Sequence, residues 1–134
     1  MRTAVSAPTV PPPSPFVLIG GRDAIRRLSD SFYDRIDGDP AFAELRALHA
    51  PDLAATRASL TDFLTAWLGG PRTWFEDRPR TCIMSMHRAI PTTATTAEQW
   101  LAAMDAALAH ERVDAPLRDM ILQGLTRMAH HMAA

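Results

Sequence analysis

A chain of 134 residues is the length of one ordinary domain, and folding at that size buries about two-thirds of the unfolded surface, enough for a core without disulfides or structural metal. It is 47% hydrophobic and 22% charged, with 14 basic against 15 acidic residues, which excludes a disordered or collagen-like chain and offers nucleic acid no basic surface. The single cysteine, Cys82, can close no internal disulfide, and no apolar run approaches the ~20 residues that span a bilayer, so a reducing cytoplasm is the expected setting.

Residues 1–15 hold five prolines, among them Pro11-Pro12-Pro13, and almost no large apolar side chain, which predicts an extended, solvated tail ahead of a domain over 16–134. The apolar run Phe16 to Ile19 is too short for a signal-peptide core. Gly20-Gly21 breaks the chain. Ile25, Leu28, Phe32 and Ile36 then recur at three- and four-residue spacing, the stripe of an amphipathic helix that Gly38-Asp39-Pro40 ends. A shorter helical piece runs from Ala41 to about Leu48, with Phe42, Leu45 and Leu48 on one side. Asp52 reads as the N-cap of a helix from Leu53 to Leu68, striped by Leu53, Leu60, Phe63, Leu64 and Trp67 and stopped by Gly69-Gly70-Pro71.

Residues 72–80 are polar and broken by Pro79, so a loop carrying Trp74 and Phe75 is expected before the apolar stretch Cys82 to Met86 and His87. Thr96 with Gln99 has the capping-box pattern, opening a helix through Trp100, Leu101, Met104 and Leu108. Asp114 and Pro116 open the last helix, with Leu117, Met120, Ile121, Leu125, Met128 and Met132 facing inward. Period-two alternation is missing throughout, so the expected class is all-α.

Neither a phosphate-binding Gly-rich loop, a nucleophile elbow, a His-Glu-x-x-His pair nor an EF-hand loop occurs. His130 and His131 are adjacent and project from different sides of a helix, and His110 falls at a helix C-terminus, where the dipole favours positive charge. His87 differs, because it ends an apolar stretch. An imidazole beside an apolar cavity suits a haem axial ligand, and equally a hydrogen-bonded core histidine. Tyr33, the only tyrosine, and Trp100 follow helical stripes closely enough to read as core aromatics on periodicity alone.

The same residues, taken in order, carry a resemblance. Ile19-Gly20-Gly21, Phe32-Tyr33, His49 before Pro51-Asp52-Leu53, and Phe63-Leu64-x-x-Trp67-Leu68-Gly69-Gly70-Pro71 are followed by His87, by Trp100-Leu101 thirteen residues later, by Met104, and by His130-His131-Met132. In this pattern residues 16–132 resemble the truncated haemoglobins, specifically group II. That resemblance implies a short globin of two helices crossed over two around haem b. It makes His87 the iron ligand and Tyr33, His49 and Trp100 the residues that stabilise bound ligand. Thr56, Leu60, Phe63, Trp74, Ile83 and Met84 would complete the haem-binding set. Thr56 stands where larger globins place a distal histidine, and Leu60 lies one turn further along.

Three departures mark the proximal side. Arg78-Pro79-Arg80 stands where the family usually has Gly-His-Pro, Met84 where it has an arginine for a haem propionate, and Ile90 where it often has Phe. Arg57, Arg78 and Arg80 are the candidates to replace that arginine, and the sequence does not choose among them. The expected function is binding of O2 and related diatomics such as CO and NO, for transport or for redox chemistry with an external reductase, since 134 residues leave no room for a flavin or nicotinamide domain. The alternative is a globin-fold module whose drifted pocket holds no haem. Monomer and homodimer are both compatible with the sequence. The wealth of alanine, with every basic residue an arginine, matches a GC-rich bacterial genome.

Overall fold

Helix α2 (Gly21–Gly38) is the central element, because its apolar stripe is covered from two sides. Ile25, Leu28, Phe32 and Ile36 are at most 1% exposed, and burying each contributes about 1.5–3 kcal/mol. The computed structural model describes residues 12–72 and 93–133, with side chains through residue 131. Ahead of α2 stands the short α1 (Pro15–Ile19). After it come a 3-10 turn (Pro40–Phe42), α3 (Ala43–Ala47), α4 (Ala54–Trp67), α5 (Ala94–His110) and α6 (Ala115–Ala133). No strand occurs among the described residues. The class is all-α, and α2 and α4 lie over α5 and α6 in a two-over-two arrangement, with α2 packed on both α4 and α5.

Local chemistry explains the boundaries, and in places moves them from where sequence patterns put them. Ser14 caps α1 by accepting from the Val17 N–H, and the Phe16 N–H donates to the Leu68 carbonyl (2.9 Å), so the chain is anchored from Ser14 onward and the expected tail boundary falls inside α1. The rest of the expected tail, residues 1–11, lies outside the described residues. Asp52 does accept from the Ala54 N–H (2.9 Å), but it sits one residue before the N-cap, Leu53. The end of α4 is a Schellman turn, with Gly70 N–H on the Thr65 carbonyl and Gly69 N–H on the Ala66 carbonyl. Gly69 has φ +100°, a left-handed conformation that a β-carbon disfavours.

The capping box of α5 is built by Thr93 and Thr96 rather than Thr96 and Gln99, each threonine hydroxyl accepting from the other's backbone N–H. Gln99 is freed for a longer-range contact, in which its Oε1 accepts from the Leu45 N–H (3.1 Å) and caps α3 from α5. On α6, Leu117, Ile121 and Leu125 are buried as expected, whereas Met120 is exposed at the edge of that stripe. Among the described residues no helix is long and apolar enough to cross a membrane.

Candidate functional site

Three aromatic residues and one imidazole meet where α2, α5 and the α3–α4 connection converge. Phe32 and Tyr33 are neighbours on α2 and pack edge to face, ring centroids 4.8 Å apart at 82°. Phe32 also meets Trp100 of α5 at 5.0 Å and 60°. On the connection between α3 and α4, His49 stands edge-on to Tyr33, 5.7 Å apart at 77°. The expected ligand-stabilising residues Tyr33, His49 and Trp100 are therefore brought together, through Phe32, from three elements far apart in sequence.

Helix α4 supplies a second wall. Thr56, Leu60 and Phe63 recur at four- and three-residue spacing and so share one face; Phe63 is buried and stacks on Trp67 at 6.4 Å and 16°, while Thr56 and Leu60 are half-buried. Trp74, Ile83, Met84 and His87 of the expected set lie outside the described residues. Among those described, no three His, Cys, Asp or Glu side chains gather into a metal site.

The electrostatics of the site favour neutral donors. Tyr33 is 4% exposed, and burial pushes its phenol well above its ordinary pKa; the nearby Arg57 charge opposes this more weakly. The phenol thus keeps its proton and can donate. His49 Nδ1 lies 2.9 Å from the Leu45 carbonyl, and a carbonyl can only accept, so the ring proton of neutral His49 is on Nδ1. A neutral His49 then carries no proton at Nε2.

Arg57, one of the expected propionate partners, is committed elsewhere. It bridges α4 to α2 through Asp34 (2.8 Å) and both the carboxylate (3.1 Å) and carbonyl (3.2 Å) of Asp30. Hydrogen bonds to the two carboxylates hold its guanidinium firmly charged despite the burial that opposes this. Arg78 and Arg80 lie outside the described residues. Sequence patterns gave no sign of Arg46, whose side chain grips the His49 segment; an arginine in the last turn of a short helix carries no motif.

The chain matches the bacterial-like globin family over residues 14–134. It belongs to that family. This globin is 30% identical over 112 residues to the group 2 truncated hemoglobin YjbI of Bacillus subtilis, covering 84% of this chain and 83% of the relative. Its structure superposes with a TM-score of 0.87 on the group II 2-on-2 hemoglobin of the plant pathogen Agrobacterium tumefaciens, at 31% identity and covering 97% of this chain and 98% of that one. The group II truncated hemoglobin of Bacillus anthracis gives a TM-score of 0.84 at 30% identity, covering 92% of both chains. The globin thus has the fold of group II truncated haemoglobins, and it belongs to a family that binds haem and small diatomic ligands.

Proposed function

We propose that this globin binds one haem b through His87 and takes O2, CO or NO as ligand on the side bearing Tyr33, His49 and Trp100. The observation that carries the reading is the chain of ring contacts from Trp100 through Phe32 and Tyr33 to His49. The residues present fit the group: a buried phenol and an indole N–H as donors stand with the His49 ring, and no carboxylate is among the three. When bound, haem supplies a ferrous iron that shifts electron density toward the outer atom of a diatomic ligand.

Around that position the chain's own residues do the discriminating work. Tyr33 O–H and Trp100 N–H donate to the partly negative outer atom, and charge-assisted bonds of this kind are about twice as strong as neutral ones. Leu60 and Phe63 exclude water from the same volume, which strengthens both bonds. Thr56, short and half-buried, leaves the approach to the site unblocked. Redox turnover on O2, NO or peroxide draws its electrons from a separate reductase.

Absorption spectra of the purified full chain, with and without dithionite and CO, test this reading. The native protein is expected to carry a Soret band that responds to both reagents. His87→Ala is expected to lose most of its haem, and His110→Ala to retain it. Full haem retention in His87→Ala, with an unaltered ferrous spectrum, would overturn the assignment.

A further inference from the structure

The connection between α3 and α4 carries His49 and has no regular structure of its own, with Pro51 interrupting any continuous ladder. The Arg46 side chain spans it. Arg46 donates from Nη1 to the Ala50 carbonyl (3.0 Å) and the His49 carbonyl (3.5 Å), and from Nη2 to the Pro51 carbonyl (2.9 Å). Its Nε donates to Asp37 of α2 (2.9 Å). All three guanidinium nitrogens are used, three consecutive carbonyls are gripped, and the anchor is the helix that carries Tyr33. The Arg46 side chain is 23% exposed and the Asp37 side chain 57%, so the guanidinium is partly covered while its bonds stay open to water, and the number and geometry of the contacts carry the grip.

The backbone closes the same unit. The His49 N–H donates to the Arg46 carbonyl (3.0 Å), and the His49 ring donates from Nδ1 to the Leu45 carbonyl (2.9 Å). His49 is therefore held at both backbone and ring, and its edge meets Tyr33, whose other neighbour is Phe32.

We propose that Arg46, anchored by Asp37, is a positioning residue that holds His49 in its Nδ1–H tautomer as a lateral buttress for the Tyr33 ring, and so keeps the Tyr33 hydroxyl where it donates to ligand. His49 acts through its ring surface, since its single proton in the neutral form is already used. The consequence for ligand binding rests on the proposed function above; the consequence for the His49 tautomer does not. An arginine in the last turn of a helix could instead serve only as a cap for exposed carbonyls. Lysine fills that role too, but it cannot grip several carbonyls and a carboxylate at once from a planar fork.

The variants Arg46→Ala and Arg46→Lys separate these roles, each made in the native chain and in the Tyr33→Phe chain. In the native chain both are expected to speed O2 dissociation by roughly 3- to 10-fold, the size of effect that a displaced donor produces. In the Tyr33→Phe background neither should change it further, because the hydroxyl being positioned is gone. Nitrogen-15 spectra of the histidine rings, taken on the CO-bound full chain, should show the His49 proton on Nδ1 in the native protein and a mixture of tautomers in both variants. The ring spectra are readable on the chain as purified even if it takes up no haem, which would sink the proposed function without touching this test. Equal acceleration in the two backgrounds, native kinetics in Arg46→Lys, or an unchanged His49 tautomer in both variants would overturn the proposal.

Discussion

Tyr33 shows how one side chain's environment sets its chemistry. Adjacent to Phe32 on α2 and 4% exposed, it is protonated at physiological pH as any phenol is, and burial extends that donor state into the alkaline range. Trp100 reaches the same place from α5, its ring against Phe32. Each hydrogen bond to a charged acceptor contributes ~1.5–3 kcal/mol. Removing either donor, in Tyr33→Phe or Trp100→Phe, is therefore expected to speed O2 dissociation by roughly 10- to 100-fold, less where the remaining donor compensates. Stopped-flow mixing of the oxygenated protein with CO measures this. Native dissociation rates in both single variants and in the double variant would remove both residues from the donor role. His49 stands apart, because its bond to the Leu45 carbonyl is visible only in the folded chain.

Between elements, close approach matters as much as apolar pattern. The side chain of Trp67 on α4 runs up to α6 at Gly124, where a β-carbon would stand 2.6 Å from Trp67 Cζ2 and 2.8 Å from Cη2. Trp67 cannot swing away freely, because its ring stacks on Phe63. Two effects oppose each other in Gly124→Ala. Helix propensity gains about 1 kcal/mol, and overpacking against a large ring costs about 1–3 kcal/mol. The expected net loss is ~1 kcal/mol by denaturant unfolding. In a Trp67→Leu background the clash is gone, so the same substitution should stabilise by up to ~1 kcal/mol. A stabilising effect in the native background would show that Trp67 has room to move.

The helix ends follow the same logic. Gly69-Gly70 announces the turn after α4, and that signal is readable in the chain. The turn after α5 has the same two bonds, Val113 N–H to Leu108 and Arg112 N–H to Ala109, yet its left-handed residue is Arg112 at φ +58°. No glycine marks it. A non-glycine residue in that region costs about 1–2 kcal/mol, which is accepted here because α5 and α6 must pack on each other immediately afterwards.

At the scale of the whole molecule, burial of Tyr33 links stability to alkaline pH. The phenol ionises near its ordinary value of 10.0 in the unfolded chain and well above it in the folded one. Below pH 10 both states hold the proton and the linkage is silent. Above it only the folded state does, so stability falls by up to about 1.4 kcal/mol per pH unit. The chain has no lysine and no second tyrosine, which leaves Cys82 as the only other side chain that titrates near that range. With Cys82 replaced by Ser, unfolding free energies measured above pH 10 should therefore fall where Tyr33 is present and stay level in Tyr33→Phe. Phenolate absorbance should rise only together with unfolding; its appearance in the folded protein would show that the ring is open to solvent.

What the sequence determined by itself is what repeats locally: the all-α class, the stripe of Ile25, Leu28, Phe32 and Ile36, the stop at Gly69-Gly70, and an order of residues specific enough to point to group II truncated globins. Periodicity and turn chemistry are short-range, so they survive in a linear reading. The placement of partners was decided only by the tertiary structure. Gln99 looked like half of a capping box and instead caps α3; Arg57 looked available for a propionate and instead ties α4 to α2; Arg46 carried no signal and grips the segment of His49. Each of these side chains is long and polar, with several partners within reach of its own helix. The choice among them is made when α2, α3, α4 and α5 come together, because a polar group enclosed by that packing must find its hydrogen bonds among the groups the fold brings beside it.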